Sequence, residues 1–397
     1  MIDIQNEKDC CGCSACAEIC PRNCLSMIPD QYGFPYPMVK KDECVDCGLC
    51  NKVCPIENGN APRLPLASYA FMHKDMEVRK RTSTGGAFVA MAEKVLLGNG
   101  MVFGCAFDTD WSAKHIGVDN QMDLKRLVGS KYLQSRMDGC FGECKTHLEK
   151  GCRVLFSGTP CQISGLRKFL RKDYDNLLCV DLICHGVPAP GIWRKYLVDL
   201  VQKKSHEIGK TLLVKDVHFR DKSRGWSHYS LSLSLSDQYG HVYENPPQPW
   251  FENPYMLSFF NHLNMRPSCF HCHFRNLRSG SDITIGDFWR CTEVHPKIVD
   301  DKFGINALMI NTEKGRIFVD GIDFDGCESS WQKIVYGNRQ LVMSLWPHIN
   351  RKKFLENVNK TDDFDGLVAD CLRLSLLKKC LSKARTFYHV YLKHHKS

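Results

Sequence analysis

Eight cysteines stand in two matching runs, Cys10-x2-Cys13-x2-Cys16-x3-Cys20-Pro21 and Cys44-x2-Cys47-x2-Cys50-x3-Cys54-Pro55. Both have the spacing of the bacterial ferredoxin motif for 4Fe-4S clusters. Three thiolates on one tight turn can cap three irons of a cube, and the fourth leaves on a chain turned aside by proline. In two-cluster ferredoxins that fourth cysteine serves the other cluster. The expected ligand sets are therefore Cys10, Cys13, Cys16 and Cys54 for one cluster, and Cys44, Cys47, Cys50 and Cys20 for the second. The gap residues Gly12, Ser14, Ala15, Gly48 and Leu49 let backbone amides approach cluster sulfides, which is one lever on reduction potential. Cys11 and Cys24 fall outside the pattern and read as packing residues or spare thiols.

A second constellation is spread along the chain. The apolar run RVLFSG (Arg153–Gly158) leads into Thr159-Pro160-Cys161-Gln162 and a helical pattern, with Thr159 at the N-cap and Pro160 at the first helical position. The run LLCVDLIC (Leu177–Cys184) ends in His185-Gly186-Val187-Pro188, again before a helical pattern. Cys161 and Cys184 thus fall outside the carboxyl ends of neighbouring parallel strands, where open α/β sheets bind ligands. Cys269-x2-Cys272 follows, ahead of the strand SDITIGDFW (Ser281–Trp289). These four thiols suit a third cluster or a structural zinc site. Separate buried cysteines are the competing reading, and the one that Cys105 and Cys179 fit. Cys140, Cys144, Cys152, Cys291, Cys327, Cys371 and Cys380 have no partner spacing.

Other residues suit a bound anion or a proton transfer. The loop Ser83-Thr84-Gly85-Gly86 precedes an apolar-periodic helix, whose free N–H groups can receive a flavin phosphate; by sequence alone a plain Ser/Thr N-cap is the favoured reading. Ser130-Lys131-Tyr132 adds a cation and an aromatic ring. Lys131 reads either as a stabiliser of reduced, anionic flavin or as a solvated surface charge. His185 is a candidate proton relay, with a loop histidine bonded to backbone as the alternative. Asp282 and Asp287 read as caps or loop-ordering carboxylates. No G-x-G-x-x-G follows a strand, so a Rossmann nicotinamide site is not expected.

These residues must be carried by a globular scaffold. The chain has 397 residues, 43% hydrophobic and 24% charged, which excludes a wholly disordered protein. It holds 23 cysteines, ten of them before residue 61. The start, MIDIQNEKDC, shows no signal peptide, and no apolar run reaches membrane length. Metal-bound thiolates in a reducing cytoplasm are expected. Residues 1–60 carry five Lys/Arg against nine Asp/Glu, a charge of −4, so the rest carries +13 to reach the total of +9. Asn58–Pro65 reads as a linker. The body alternates short apolar runs with helical patterns, which favours α/β with parallel pairing. The alternation LSLSLS within Leu212–Val242 points to antiparallel strands. The expected fold is an α+β ferredoxin-like two-cluster domain (1–60), then an α/β domain with a parallel sheet and an additional antiparallel segment. The last 26 residues, from Leu372, hold seven Lys/Arg and no Asp/Glu. They are expected to pack as a solvated helix, with membrane-surface contact the less favoured alternative. Nucleic-acid binding is not expected.

Five stretches resemble the family of coenzyme F420 hydrogenase/dehydrogenase beta subunits: STGGAF (Ser83–Phe88), GSKYLQS (Gly129–Ser135), SGTPCQISGLRKFL (Ser157–Leu170), VDLICHGVPAP (Val180–Pro190) and CFHCHFRNLRSGSDITIGDFW (Cys269–Trp289). The resemblance runs from about residue 66 to 350. It divides the chain into a ferredoxin domain (1–60), an N-terminal family region (66–150), a C-terminal flavin/cluster region (151–350) and a helical basic tail (351–397). The resemblance implies a third 4Fe-4S cluster on Cys161, Cys184, Cys269 and Cys272. It also implies FAD, near Ser83, Thr84, Gly85, Gly86, Ser130, Lys131, Tyr132, Thr159 and Gln162. Members pass electrons between clusters, FAD and an organic acceptor, which in some is the deazaflavin coenzyme. The implied function is a flavin-dependent iron–sulfur oxidoreductase served by a redox partner protein or small electron donor. The alternative is an electron-carrier or adaptor subunit with no substrate site of its own.

Overall fold

The computed structural model describes residues 1–374. The basic tail expected beyond Leu372 lies, from residue 375 on, outside the described residues. Thirteen strands form three sheets among the described residues. Strands β1 (Leu25–Pro29) and β2 (Pro35–Val39) make an antiparallel hairpin between the two cysteine runs. The eight-stranded sheet holds β3 (Ala67–His73), β4 (Met101–Phe107), β5 (Ala113–Val118), β6 (Val154–Gly158) and β7 (Leu177–Leu182). The separate three-stranded antiparallel sheet is β8 (Leu213–Asp221), β9 (Ser230–Ser236) and β10 (Val242–Pro249). Then β11 (Ile283–Asp287), β12 (Asn306–Ile310) and β13 (Phe324–Ser329) return to the large sheet, whose order is β13-β3-β12-β11-β7-β6-β4-β5.

The large sheet is mixed. Only its centre, β4-β6-β7-β11, is parallel, and both flanks pair antiparallel. The apolar runs of β6 and β7 mark buried central strands, but nothing in them reveals the direction of the neighbours that flank the parallel core. Helix Pro160–Leu170 crosses between β6 and β7 and buries Ile163, Leu166 and Phe169 on the sheet. Each such side chain contributes about 1.5–3 kcal/mol on burial.

The cysteine-rich segment is packed into the body. Cys11, Cys13, Ala15 and Val53 share one core with Phe103, Phe141, Phe156 and Ile163. An alanine at Gly165 would bring its Cβ to 2.9 Å from Cys13 Sγ, so the helix lies directly on the first cysteine loop. Glu18 Oε2 accepts the N–H groups of Phe141 and Gly142, both at 3.0 Å, at the start of helix Cys140–Glu149. The Asn58–Pro65 linker is tied down as well. Asn60 donates to the Arg278 carbonyl at 3.0 Å, and Arg63 to those of Leu277 (3.1 Å) and Ser281.

Candidate functional site

The two cysteine runs fold alike. Gly12 and Asp46 have φ of 69° and 49°, and Ser14 and Gly48 have φ of 68° and 69°, at matching places in each motif. Each loop then enters a four-residue helix, Ala15–Glu18 or Leu49–Lys52. One cavity of about 320 Å³ is lined by Cys10, Cys13, Cys16 and Cys54. Another, of about 380 Å³, is lined by Cys20, Cys44, Cys47 and Cys50. The crossing arises because the hairpin β1-β2 folds the second run back beside the first. Cys24 lines the second cavity, with its Sγ 3.4 Å from that of Cys20.

Cys161, Cys184, Cys269 and Cys272 come from separate turns and line a third cavity of about 700 Å³. Cys161 follows β6 and Cys184 follows β7, while Cys269 lies in the 3-10 turn Pro267–His271 and Cys272 ends it. Cys11 lines this cavity and the first one, and its thiol interacts with those of both Cys13 and Cys161. Cys11 packs in the core as expected, and in doing so it stands between two cysteine sets. No sequence spacing signals this, because the contact depends on how the loop docks.

The donor set fits iron–sulfur chemistry. Burial pushes the Cys16 and Cys269 thiols up to about 12, so bare thiolates are unfavourable there and need compensating cations. Iron supplies that charge when it replaces the proton. Backbone amides already point at sulfur: Gly12 N to Cys10 Sγ at 3.4 Å, Gly186 N to Cys184 Sγ at 3.3 Å, and Ile2 N to Cys50 Sγ at 3.2 Å. Two guanidiniums, Arg266 and Arg275, line the third cavity, and Arg275 donates to the Cys184 carbonyl at 2.9 Å.

A fourth cavity, of about 1480 Å³, is lined by Ser83, Ser130 and Lys131 together with Arg81, Lys125, Arg126 and Arg220. Phe107, Trp111 and Phe219 add aromatic faces, and Glu93 and Asp216 add negative charge. Ser83 Oγ accepts the Ser130 N–H at 2.8 Å, joining the two predicted segments. Lys131 is half-buried, and its Nζ donates to the carbonyls of Arg126 and Val128, both at 3.0 Å. Burial pushes it down to about 8.

Thr84, Gly85 and Gly86 do not line this cavity. Thr84 donates to the Ile305 carbonyl at 3.2 Å. A Cβ on Gly85 would strike the Phe71 carbonyl and lie 2.7 Å from Asn306 N, so this glycine serves strand contact. The Ala87 N–H, at the helix start, is taken by Asn306 Oδ1 at 3.0 Å. Thr159 and Gln162 also bind chain rather than open space. Gln162 Oε1 accepts from Thr159 N at 2.9 Å, and its Nε2 donates to Ser135 Oγ at 2.9 Å. Thr159 Oγ1 lies 3.2 Å from Cys161 Sγ, so this pair orients the third set.

Tyr132 stands between the large cavity and the third cysteine set. Its ring centre is 5.5 Å from Phe219, in the cavity wall, and 5.3 Å from Phe259, which is 5.3 Å from His185. His185 does not bond backbone through its Nε2, which faces His262 Nε2 at 3.2 Å, and burial pushes it down to about 3. A neutral ring at neutral pH follows. Asp282 orders its surroundings, with the Cys179 N–H at 2.8 Å and Arg167 at 2.7 Å on Oδ2. Asp287 pairs with the buried Arg220 at 2.5 Å. Arg220 and Arg266 carry no motif signal, and Arg275, inside the stretch Cys269–Trp289, is not singled out by its spacing; the fold places all three in cavity walls.

Gly12 offers a direct test of the first loop. An alanine there would place Cβ 2.6 Å from Gln134 Nε2 and 2.8 Å from Arg266 Nη1, whereas Gly48, at the same φ of +69°, has nothing within 4 Å. Gly12→Ala is expected to cost about 1–3 kcal/mol more than Gly48→Ala, because overpacking adds to the same backbone strain. Anaerobic urea unfolding followed by cluster absorbance measures the difference.

Cysteine sets packed against the carboxyl edge of an α/β core have the arrangement of an iron–sulfur protein. Residues 151–328 match the family model for the C terminus of coenzyme F420 hydrogenase/dehydrogenase beta subunits, and residues 9–58 match a 4Fe-4S dicluster domain. Among curated relatives, the coenzyme F420-dependent sulfite reductase of Methanocaldococcus jannaschii is 28% identical over 207 residues, covering 50% of this chain and 31% of that protein. A subunit of the F420H2 dehydrogenase of Methanosarcina mazei is 21% identical over 204 residues, covering 47% of this chain and 58% of that one. A 7Fe ferredoxin of Hydrogenibacillus schlegelii is 40% identical over 43 residues, covering 11% of this chain and 49% of its own length. The chain thus spans less than two thirds of each of these relatives. A chain of the F420-reducing [NiFe] hydrogenase complex from Methanosarcina barkeri aligns over 75% of this chain and 90% of its own, with 17% identity and a TM-score of 0.43. No helix among the described residues is long and apolar enough to cross a membrane.

Proposed function

We propose that the chain is an iron–sulfur flavoprotein oxidoreductase that passes electrons between three 4Fe-4S clusters, FAD and an organic acceptor, with the deazaflavin coenzyme as one candidate acceptor. The observation that carries it is the third cavity, which four thiols from distant segments line beside the first cysteine loop. When bound, the clusters supply one-electron carriers and the flavin joins one- and two-electron chemistry. The chain's own residues hold these groups in order. Cys20, Cys44, Cys47 and Cys50 form the outermost set, since Cys47 is exposed, and a donor protein would dock there. Cys10, Cys13, Cys16 and Cys54 come next, and Cys11 abuts both that set and the third. Tyr132 and Phe259 fill the space between the third set and the large cavity, and exclude water from it. Arg81, Lys125, Arg126 and Lys131 give that cavity the positive charge that a flavin pyrophosphate requires.

Anaerobic purification followed by iron, sulfide and flavin assays tests the proposal. About twelve irons and sulfides per chain are expected, four for each cluster, with FAD released on denaturation. Near eight irons would remove the third cluster, and zinc in its place would make that site structural. Full cluster absorption with no flavin bound, even after FAD is added, would favour the electron-carrier reading.

Lys131 makes affinity in the large cavity pH-dependent. Its pKa is lowered to about 8, so the ammonium is present below that pH and lost above it. FAD affinity is expected to fall about tenfold between pH 7 and pH 9, the equivalent of about 1.4 kcal/mol for one charge-assisted contact. Lys131→Met should bind weakly at both values. Quenching of FAD fluorescence on titration reads the profile.

A further inference from the structure

We propose that Arg266 is a positioning charge shared by two cluster sites: its buried guanidinium raises the reduction potentials of the cluster in the Cys10 loop and of the cluster held by Cys161, Cys184, Cys269 and Cys272. The inference rests on the cluster reading proposed for these cavities.

Arg266 is fully buried, at 0% exposure. Its Nε donates to the Cys10 carbonyl at 2.9 Å, Nη1 to Gln134 Oε1 at 2.9 Å, and Nη2 to the Pro35 carbonyl at 2.9 Å. The guanidinium also lies 4.4 Å from the centre of the Tyr36 ring. All of these partners are neutral. Among the described residues no carboxylate forms an ion pair with it, whereas Arg79, Arg167 and Arg220 pair with Asp301, Asp282 and Asp287. An unpaired charge removed from water is strongly unfavourable and persists only where something compensates it.

The compensation lies on two sides. Arg266 lines the third cavity beside Cys161, Cys184 and Cys269. It also grips the backbone of Cys10 and abuts Gly12, in the wall of the Cys10/Cys13/Cys16/Cys54 cavity. A 4Fe-4S cluster on four thiolates is a net anion, one unit more negative when reduced. A fixed cation between two such anions stabilises both reduced forms and so raises both potentials. Arg275 lacks this double placement, since its bonds go to the Cys184 and Gln340 carbonyls beside the third cavity alone. The outermost cavity, around Cys20, Cys44, Cys47 and Cys50, is lined by none of Arg266's hydrogen-bond partners.

Each step tested is the addition of one electron to a cluster, with dithionite as reductant and no bond made or broken. The full chain, purified without oxygen, is titrated with detection by electron paramagnetic resonance. Arg266→Gln is expected to shift both neighbouring clusters at least tenfold towards the oxidised form, which is 59 mV for a one-electron couple, and to leave the outermost cluster in place. Arg266→Lys should restore most of the shift. Gln134→Glu should shift the same two clusters in the same direction, because it puts a carboxylate on Nη1 and cancels the charge without removing the arginine. Unchanged potentials in either variant with its iron retained would overturn the proposal, as would an equal shift of all three clusters. Loss of iron from both variants would make Arg266 a fold anchor and would overturn it too. Wild-type protein with fewer than twelve irons would instead fail the cluster reading itself.

Discussion

Cys161→Ser is expected to lower iron from about twelve atoms per chain to about eight, because one 4Fe-4S cluster is lost whole. The thiol has no substitute in place: Cys11 interacts with Cys161 but sits at the wall shared with the first set. The eight ligands of the two ferredoxin motifs are untouched, so bleaching of their absorption by dithionite should persist. Bleaching of the flavin band is expected to slow by at least about tenfold, since the gap between the first loop and the large cavity then lacks its carrier. Stopped-flow absorbance at cluster and flavin wavelengths reads both. Full-speed flavin reduction in a variant with eight irons would show that the route avoids this cavity.

Cys54→Ala and Cys20→Ala are each expected to strip about four irons from the cluster of the other motif. Cys54 lines the cavity of Cys10, Cys13 and Cys16, and Cys20 that of Cys44, Cys47 and Cys50. The two losses should differ in spectroscopy, because the first set is buried in the core and Cys47 is exposed. Loss confined to the mutated cysteine's own motif would refute the crossed arrangement. In Cys54→Ala the damage should extend to docking, since Cys13 and Ala15 are part of the core shared with Phe141 and Phe156.

Much of the site was legible because metal ligation leaves a local record. The x2-x2-x3 spacing shapes a loop whichever body it is attached to, and the repeated φ pattern at Gly12, Ser14, Asp46 and Gly48 shows that both motifs obey it. The strand-to-helix turns at Cys161 and Cys184 were legible for a similar reason, as apolar runs ended by a cap and a proline. Ser83 and Ser130 line the large cavity, whereas Thr84, Gly85 and Gly86 do not. A Gly-Gly before a helix reads the same whether the missing side chains make room for a phosphate or for strands β3 and β12.

Local chemistry, then, marked which cysteines have the spacing to bind iron, the crossed pairing expected of the motifs, and roughly where four strands of the core lie. These depend on residues a few positions apart, so spacing alone carries them. The mixed flanks of the large sheet, the burial of the first cysteine loop against helix Pro160–Leu170, the bridging place of Cys11 and the unpaired charge of Arg266 were decided by packing. Apart from the short-range β4–β5 and β11–β12 pairings, each depends on residues more than a hundred positions apart. An arginine in MRPSC looks like any surface cation until the fold removes it from water and places it between two sets of thiols.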